Sequence, residues 1–155
     1  MRNKWFIAGM VFLLVYFLSK RNVLAAPPTV ADYGDDIRAA EDEQGIPRNM
    51  LARLLYRESG FRPEVISGEI KSPAGAVGIA QIIPRYHPKV DPTDAVASIW
   101  YAAYYLKTLK DQFGTWDMAL AAYNWGPGNL KQKGYAEAPL ETRQYVAYIL
   151  NRNKG

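Results

Sequence analysis

The sequence contains no cysteine and a single histidine, His87. Without cysteine there is no disulfide framework, no thiolate zinc site and no thiol nucleophile. One histidine excludes the HExxH metal site, which needs two. A serine triad built on His87 would need a nucleophile elbow, and no such pattern accompanies it. Nothing therefore calls for a metal or an organic cofactor. Strand signals are missing too: no convincing stretch alternates apolar and polar residues. A one-sided charge is also absent from most of the chain. The formal net charge is +4, but Arg2, Lys4, Lys20 and Arg21 supply four positive charges before residue 26. Residues 27–155 hold 15 basic and 15 acidic residues. A nucleic-acid binder carries its positive excess on the folded domain, so nucleic acid is not an expected partner.

Long hydrophobic runs are scarce as well. The main one is Trp5 to Leu18, WFIAGMVFLLVYFL, bracketed by Lys4 and Lys20. A full span needs roughly 20 apolar residues, and snorkelling of the flanking lysines and Arg21 extends the reach of a shorter run. Residues 1–25 thus read as a membrane anchor, contacting lipid through residues 5–18. The rival is a secretory signal cleaved near Ala25-Ala26, for which Lys20 and Arg21 are awkwardly placed. A buried core helix fits less well, because this run is apolar on all sides and would need covering all round. Either favoured reading carries the rest of the chain across a membrane. Residues 26–30, APPTV, form a stiff linker. Residues 31–155 have room for one domain with a proper core.

That domain reads as all-α. Asp32 to Glu43 is a short polar-faced helix, broken by Gly45. Pro47 opens the next helix, since proline favours the first turn. There Leu51, Leu54, Leu55 and Glu58 fall at i, i+3, i+4 and i+7 and share one face. Three are leucines, so the face is buried; the fourth is a carboxylate. Such a residue is either a structural ion-pair partner reaching water at a rim, or a general acid whose burial raises its pKa. Gly60 to Pro84 is a long loop rich in Gly, Pro and Ser, and loops of this length in compact domains are usually functional. Asp91 caps a helix that has Pro92 in its first position and runs to about Phe113. Its packing stripe is Ala95, Ile99, Ala102, Ala103 and Leu106. Gly114 ends it. Trp116 to Asn124 follows with a small-residue face and stops at the Gly126-Pro127-Gly128 breaker. Pro139 opens the last helix, in which Thr142, Tyr145, Val146 and Ile149 share a face. Aromatic residues are abundant; most belong to a core, and a few on a groove wall would suit sugar rings.

Four stretches are recognisable together. Glu58-Ser59-Gly60-Phe61-Arg62-Pro63 resembles the catalytic-glutamate motif of the soluble lytic transglycosylases, relatives of goose-type lysozymes. Lys71 to Pro84, KSPAGAVGIAQIIP, is similar to that family's second motif. Ala119 to Gly128, ALAAYNWGPG, resembles the third, and Pro139 to Val146, PLETRQYV, the fourth. They occur in the family's order and cover most of residues 46–150.

The resemblance implies a lysozyme-like, mainly helical fold with a loop-lined groove. It implies cleavage of the β-1,4 bond between N-acetylmuramic acid and N-acetylglucosamine in peptidoglycan. It makes Glu58 the single catalytic carboxylate. It places Ser59, Ser72, Gln81 and Tyr123 around the scissile sugars, with Asn124, Glu141 and Tyr145 lining or supporting the cleft. The partner is then the peptidoglycan glycan strand. With the N-terminal segment, the setting is a bacterial envelope with the domain facing the periplasm, or a phage particle; a trans-envelope or virion assembly would use such a domain. Two other activities are compatible with the same residues: a lysozyme-like hydrolase, with Glu64, Glu69 or Glu141 as second carboxylate, and a non-catalytic wall-binding protein. Departures from the family pattern are the longer stretch Val65 to Ile70, Ala80, Ile83 and Trp125.

Overall fold

A computed structural model describes residues 30–151. The anchor or signal segment, the linker before residue 30 and the last four residues lie outside them. Among the described residues there are seven α-helices and one 3-10 turn. No strand is formed, only an isolated antiparallel bridge between Val77 and Ile82. No described helix is long and apolar enough to cross a membrane.

Helix α1 spans Val30–Gln44 and packs along α4, Ala95–Phe113. Helix α4 also packs on α5, Trp116–Trp125. Helix α5 in turn contacts α6, Pro127–Lys133, and α7, Leu140–Ile149. Ala119, Leu120, Ala121 and Ala122 of α5 are all fully buried, around more than one face of the helix. A helix covered this widely needs a small apolar surface on several sides, which the alanines supply. On α4, Ile99, Ala102, Ala103 and Leu106 of the expected stripe are fully buried, and Ala95 at its start is half-buried. Helix α2, Met50–Ser59, lies against α1, α4 and α7 and buries Leu51, Leu54 and Leu55 completely. Burying each leucine is worth roughly 1.5–3 kcal/mol, so this stripe holds α2, and Glu58 with it, in one orientation.

Four boundaries differ from the sequence expectation. Pro47 does not open α2. Its carbonyl accepts the Met50 N–H at 3.0 Å in a turn, and Asn49 is left-handed with φ 62°. The first N–H groups of α2 are instead satisfied by a residue eight to eleven positions earlier: the Glu41 carboxylate accepts from Asn49, Leu51 and Ala52 at 3.0, 2.9 and 3.4 Å. Glu41 is 1% exposed, so α1, which the sequence reads as a short polar-faced helix, buries one of its carboxylates. Asp91 does not cap α4. It accepts from the Thr93 N–H and hydroxyl in a local turn, and Asp94 caps the helix through the Ala97 N–H at 3.0 Å. Gly126-Pro127-Gly128 both ends α5 and starts α6, because Pro127 occupies a first-turn position where no N–H is needed. The stretch Val65 to Ile70 is not only loop: Pro63–Ile66 forms a short helix, α3, whose Val65 and Ile66 are buried.

The long loop between α3 and α4 is tightly seated. At Gly78, φ is +80° and an added Cβ would lie 1.8 Å from the Pro92 carbonyl oxygen. Only glycine lets the 76–82 segment approach the α4 entry this closely.

Candidate active site

Glu58 lies in the last turn of α2, just before the left-handed Gly60 that ends the helix. The Tyr145 hydroxyl on α7 donates to Glu58 Oε1 at 2.5 Å. Burial pushes the Glu58 carboxyl up from its ordinary 4.5 to about 7, while the Tyr145 bond and the Arg57 charge pull it part of the way back. Among the described residues, no other carboxylate contributes to that shift. Its position near a helix C-terminus also disfavours negative charge. Near neutrality Glu58 is therefore available both as a proton donor and as an acceptor.

Tyr123, on α5, donates to the Ala80 carbonyl at 2.9 Å. Burial raises the hydroxyls of Tyr123 and Tyr145 well above 10, and the nearby Glu58 charge raises both further. Both phenols stay protonated as fixed donors. Tyr123 also lines a groove of about 900 Å³. Gln81, Tyr86, His87, Tyr101 and Tyr105 form further parts of its wall, with residues 124–129 among the rest. Glu58 does not line this volume itself; its charge reaches Tyr123, which does. Gln81 has φ 48°, an uncommon conformation for a side-chain-bearing residue. Its side-chain amide donates to the Gly78 carbonyl at 3.1 Å. The tight 78–81 turn thus presents Gln81 to the groove next to Tyr123. A half-buried acid of raised pKa, fixed donors and an aromatic-walled groove can together protonate an ether oxygen of a sugar polymer.

Residues 35–146 match the model of the transglycosylase SLT domain family. The chain belongs to that family. It is similar to a protein called membrane-bound lytic murein transglycosylase F from Alcanivorax borkumensis, 34% identical over 110 residues, which cover 64% of this chain and 22% of that protein. A protein of the same name from Nitrosospira multiformis is 33% identical over 100 residues, or 59% of this chain and 20% of the relative. The chain thus matches only about a fifth of the length of these relatives.

Within this SLT domain the expected site residues take different places. Tyr145 bonds Glu58, Tyr123 feels the Glu58 charge, and Tyr123 and Gln81 line the groove. Asn124 lines the groove, and its Oδ1 accepts from the Thr142 hydroxyl at 2.8 Å, so α7 holds its orientation. Ser59 is 1% exposed; its hydroxyl donates to the Leu55 carbonyl and accepts from the Phe61 N–H. It therefore shapes the turn after α2 and does not face the groove. Ser72 is half-buried and accepts from the Ala76 N–H at 3.0 Å, closing the 72–76 turn. Glu141 is exposed in the first turn of α7, one turn before Tyr145 on the same side. Glu64 is half-buried with Arg62 at 3.9 Å, and Glu69 is exposed.

The sequence reading missed the far part of the SLT groove: Tyr86, His87, Tyr101 and Tyr105. One signal was available. Tyr101 and Tyr105 lie one turn apart on α4, beside the alanine stripe. Rings that share a face next to a packing stripe stand at its edge.

Proposed function

We propose that this protein is a peptidoglycan lytic transglycosylase, cleaving the β-1,4 bond between N-acetylmuramic acid and N-acetylglucosamine. The observation that carries this reading is Glu58: a single carboxyl with its pKa raised to about 7 beside a sugar-sized groove, with no second carboxylate in its field. The family membership and the names of the two relatives support it.

One carboxyl suffices when the substrate supplies the other groups. Glu58 gives its proton to the glycosidic oxygen as the C1–O bond breaks, and the leaving sugar departs with a free hydroxyl. The muramic acetamido oxygen stabilises C1 from the opposite face. The C6 hydroxyl of the same muramic residue then attacks C1, and its proton passes to Glu58, restoring the acid. The product is a 1,6-anhydromuramic end. No water is consumed, and intramolecular attack carries a large effective molarity. A hydrolase would ordinarily use two carboxylates with room for water between them, and none of Glu64, Glu69 and Glu141 is among the groups that shift the Glu58 pKa. Tyr145 orients Glu58. Gln81, Tyr123 and Asn124 supply polar contacts to the sugars around the cleaved bond.

The word "membrane-bound" in the relatives' names and the apolar run Trp5 to Leu18 support envelope association, with the domain facing the periplasm or carried by a phage particle. A trans-envelope or virion assembly is the kind of partner that would use it; a secreted form after signal cleavage is the alternative.

The test is digestion of purified peptidoglycan by the protein and by its Glu58→Gln variant, with products identified by mass spectrometry. Anhydro ends, one water lighter than hydrolysed ends, are expected from the unaltered protein alone. Reducing muramic ends would make it a hydrolase, and no products from either form would leave a wall-binding role.

A further inference from the structure

Nothing in the proposed chemistry uses His87. It is half-buried on the groove wall. Its Nδ1 lies 2.7 Å from the Tyr101 hydroxyl. Its ring stands edge-on to Tyr105, with centroids 4.9 Å apart and planes at 69°. Tyr101 and Tyr105 stack nearly parallel, at 10°. The His87 backbone N–H is held by the carbonyls of Ile83 and Pro84. The imidazole is therefore fixed by α4 on one side and its own loop on the other, yet it remains on the groove surface. Among the described residues its second ring nitrogen, Nε2, has no hydrogen-bond partner.

The pairing admits either tautomer, and we assign the Tyr101 hydroxyl as donor to Nδ1 because it has no other acceptor among the described residues. Burial keeps Tyr101 protonated and His87 neutral near pH 7, by raising the one and lowering the other. A neutral imidazole accepting at Nδ1 carries its hydrogen on Nε2. The groove wall thus presents one oriented N–H donor.

This donor is reached from the acid through a row of rings that begins at Tyr123, which feels the Glu58 charge. The rings run from Tyr123 to Tyr105, centroids 5.8 Å apart, and then to His87. Other lining residues include Gly126, Pro127 and Gly128, and at Gly128 nothing lies within 4 Å of where a side chain would begin. The wall there is open enough for a ring to enter.

We propose that His87 is a specificity-determining residue that binds the glycan beyond the cleaved bond, its Nε2–H donating to the carbonyl oxygen of an N-acetyl group. A donor without acceptor capacity selects an acceptor, and the amide carbonyl is the strongest one that every sugar of this polymer carries. The Tyr101 and Tyr105 rings offer an apolar surface for the acetyl methyl. The inference rests on the transglycosylase reading.

The test measures binding of a hexamer of β-1,4-linked N-acetylglucosamine to the full chain by calorimetry. Glu58→Gln serves as the background, so that nothing is cleaved. Adding His87→Leu is expected to weaken binding about 3- to 10-fold, the loss of one neutral hydrogen bond. His87→Gln places an amide N–H where Nε2 was and is expected to recover most of it. A de-N-acetylated hexamer is expected to show no difference between His87 and Leu. Tyr101→Phe frees the imidazole without removing it and is expected to weaken binding of the acetylated hexamer, which covers the case of a misfolded Leu variant. With Glu58 intact, His87→Leu is expected to raise KM for strand cleavage by the same factor and leave kcat in place. Equal hexamer affinity in the His87 and Leu forms, an equal loss on the de-N-acetylated hexamer, or a change in kcat alone would overturn the proposal. Failure of the underlying reading looks different: the unaltered protein then yields no anhydro ends.

Discussion

Tyr145 and Glu58, 87 residues apart in the chain, meet across 2.5 Å with the phenol donating to the carboxylate. The bond has two opposed effects. It fixes the rotamer of the acid, and it stabilises the charged form that burial disfavours. The value near 7 is the balance between them.

Tyr145→Phe removes the hydroxyl and keeps the ring. The Glu58 pKa is then expected to rise above 7, because the lost bond favoured the carboxylate. The rate of anhydro-end formation falls at high pH as Glu58 loses its proton, and in the variant this fall moves to higher pH. Below that limb, kcat is expected to drop on the order of 10-fold, about 1.4 kcal/mol of lost orientation. The pH profiles of the two proteins, measured side by side, check both effects; coincident profiles would remove Tyr145 from the site.

Glu58→Gln is expected to be inactive and, at alkaline pH, more stable than the parent. The folded-state pKa of Glu58 lies above its ordinary value. Its contribution to stability is therefore fully present below about pH 4.5 and is lost as pH rises through about 7, where a buried charge must form. Glutamine keeps an oxygen for Tyr145 and never ionises. The difference in Tm between variant and parent should widen between pH 5 and pH 9, and a difference that is flat or shrinks would contradict the burial of Glu58.

Glu41→Ala leaves three N–H groups at the start of α2 without their acceptor. Unfolding free energy is expected to fall by about 2–4 kcal/mol, and Glu41→Gln, which keeps one acceptor oxygen, should lose about half as much. Urea denaturation measures this. Because Glu41 caps the end of α2 remote from Glu58, the surviving folded fraction should still give anhydro ends.

Gly78→Ala is expected to destabilise the protein by roughly 2–5 kcal/mol, combining strain at a positive φ with a collision against the Pro92 carbonyl. Gly75, which also has a positive φ but open space around it, should cost less on the same change. Denaturation of the two variants separates the clash from the strain.

The helices with strong local signals were readable in the sequence. The leucine stripe of α2 and the alanine face of α5 stand where their periodicity puts them, since burial demands a 3.6-residue period. Glu58 was visible for the same reason, as the polar member of an apolar stripe. Boundaries set from a distance were not readable. Nothing around Pro47 reveals that Glu41 supplies the cap of α2. Asp91 and Asp94 both resemble caps, and only the Ala97 bond distinguishes them. Within the site, motif spacing pointed to Tyr123, Gln81 and Tyr145 but could not say that Tyr145 touches the acid. Ser59 has the type and place of a sugar contact, yet its hydroxyl is taken up by the backbone of its own turn. The aromatic end of the groove escaped because a tyrosine one turn from another reads equally well as core.

Helix α7 also reaches α2 through its last residues: the Ile149 carbonyl accepts from Arg53 Nε at 2.5 Å. Two of the ties on the acid-bearing helix thus come from residues 145–149. A chain growing from its N-terminus makes α2 early and receives α7 late. Until then Glu58 lacks the Tyr145 hydroxyl that fixes its rotamer, so a chain cut before residue 145 carries an unanchored acid.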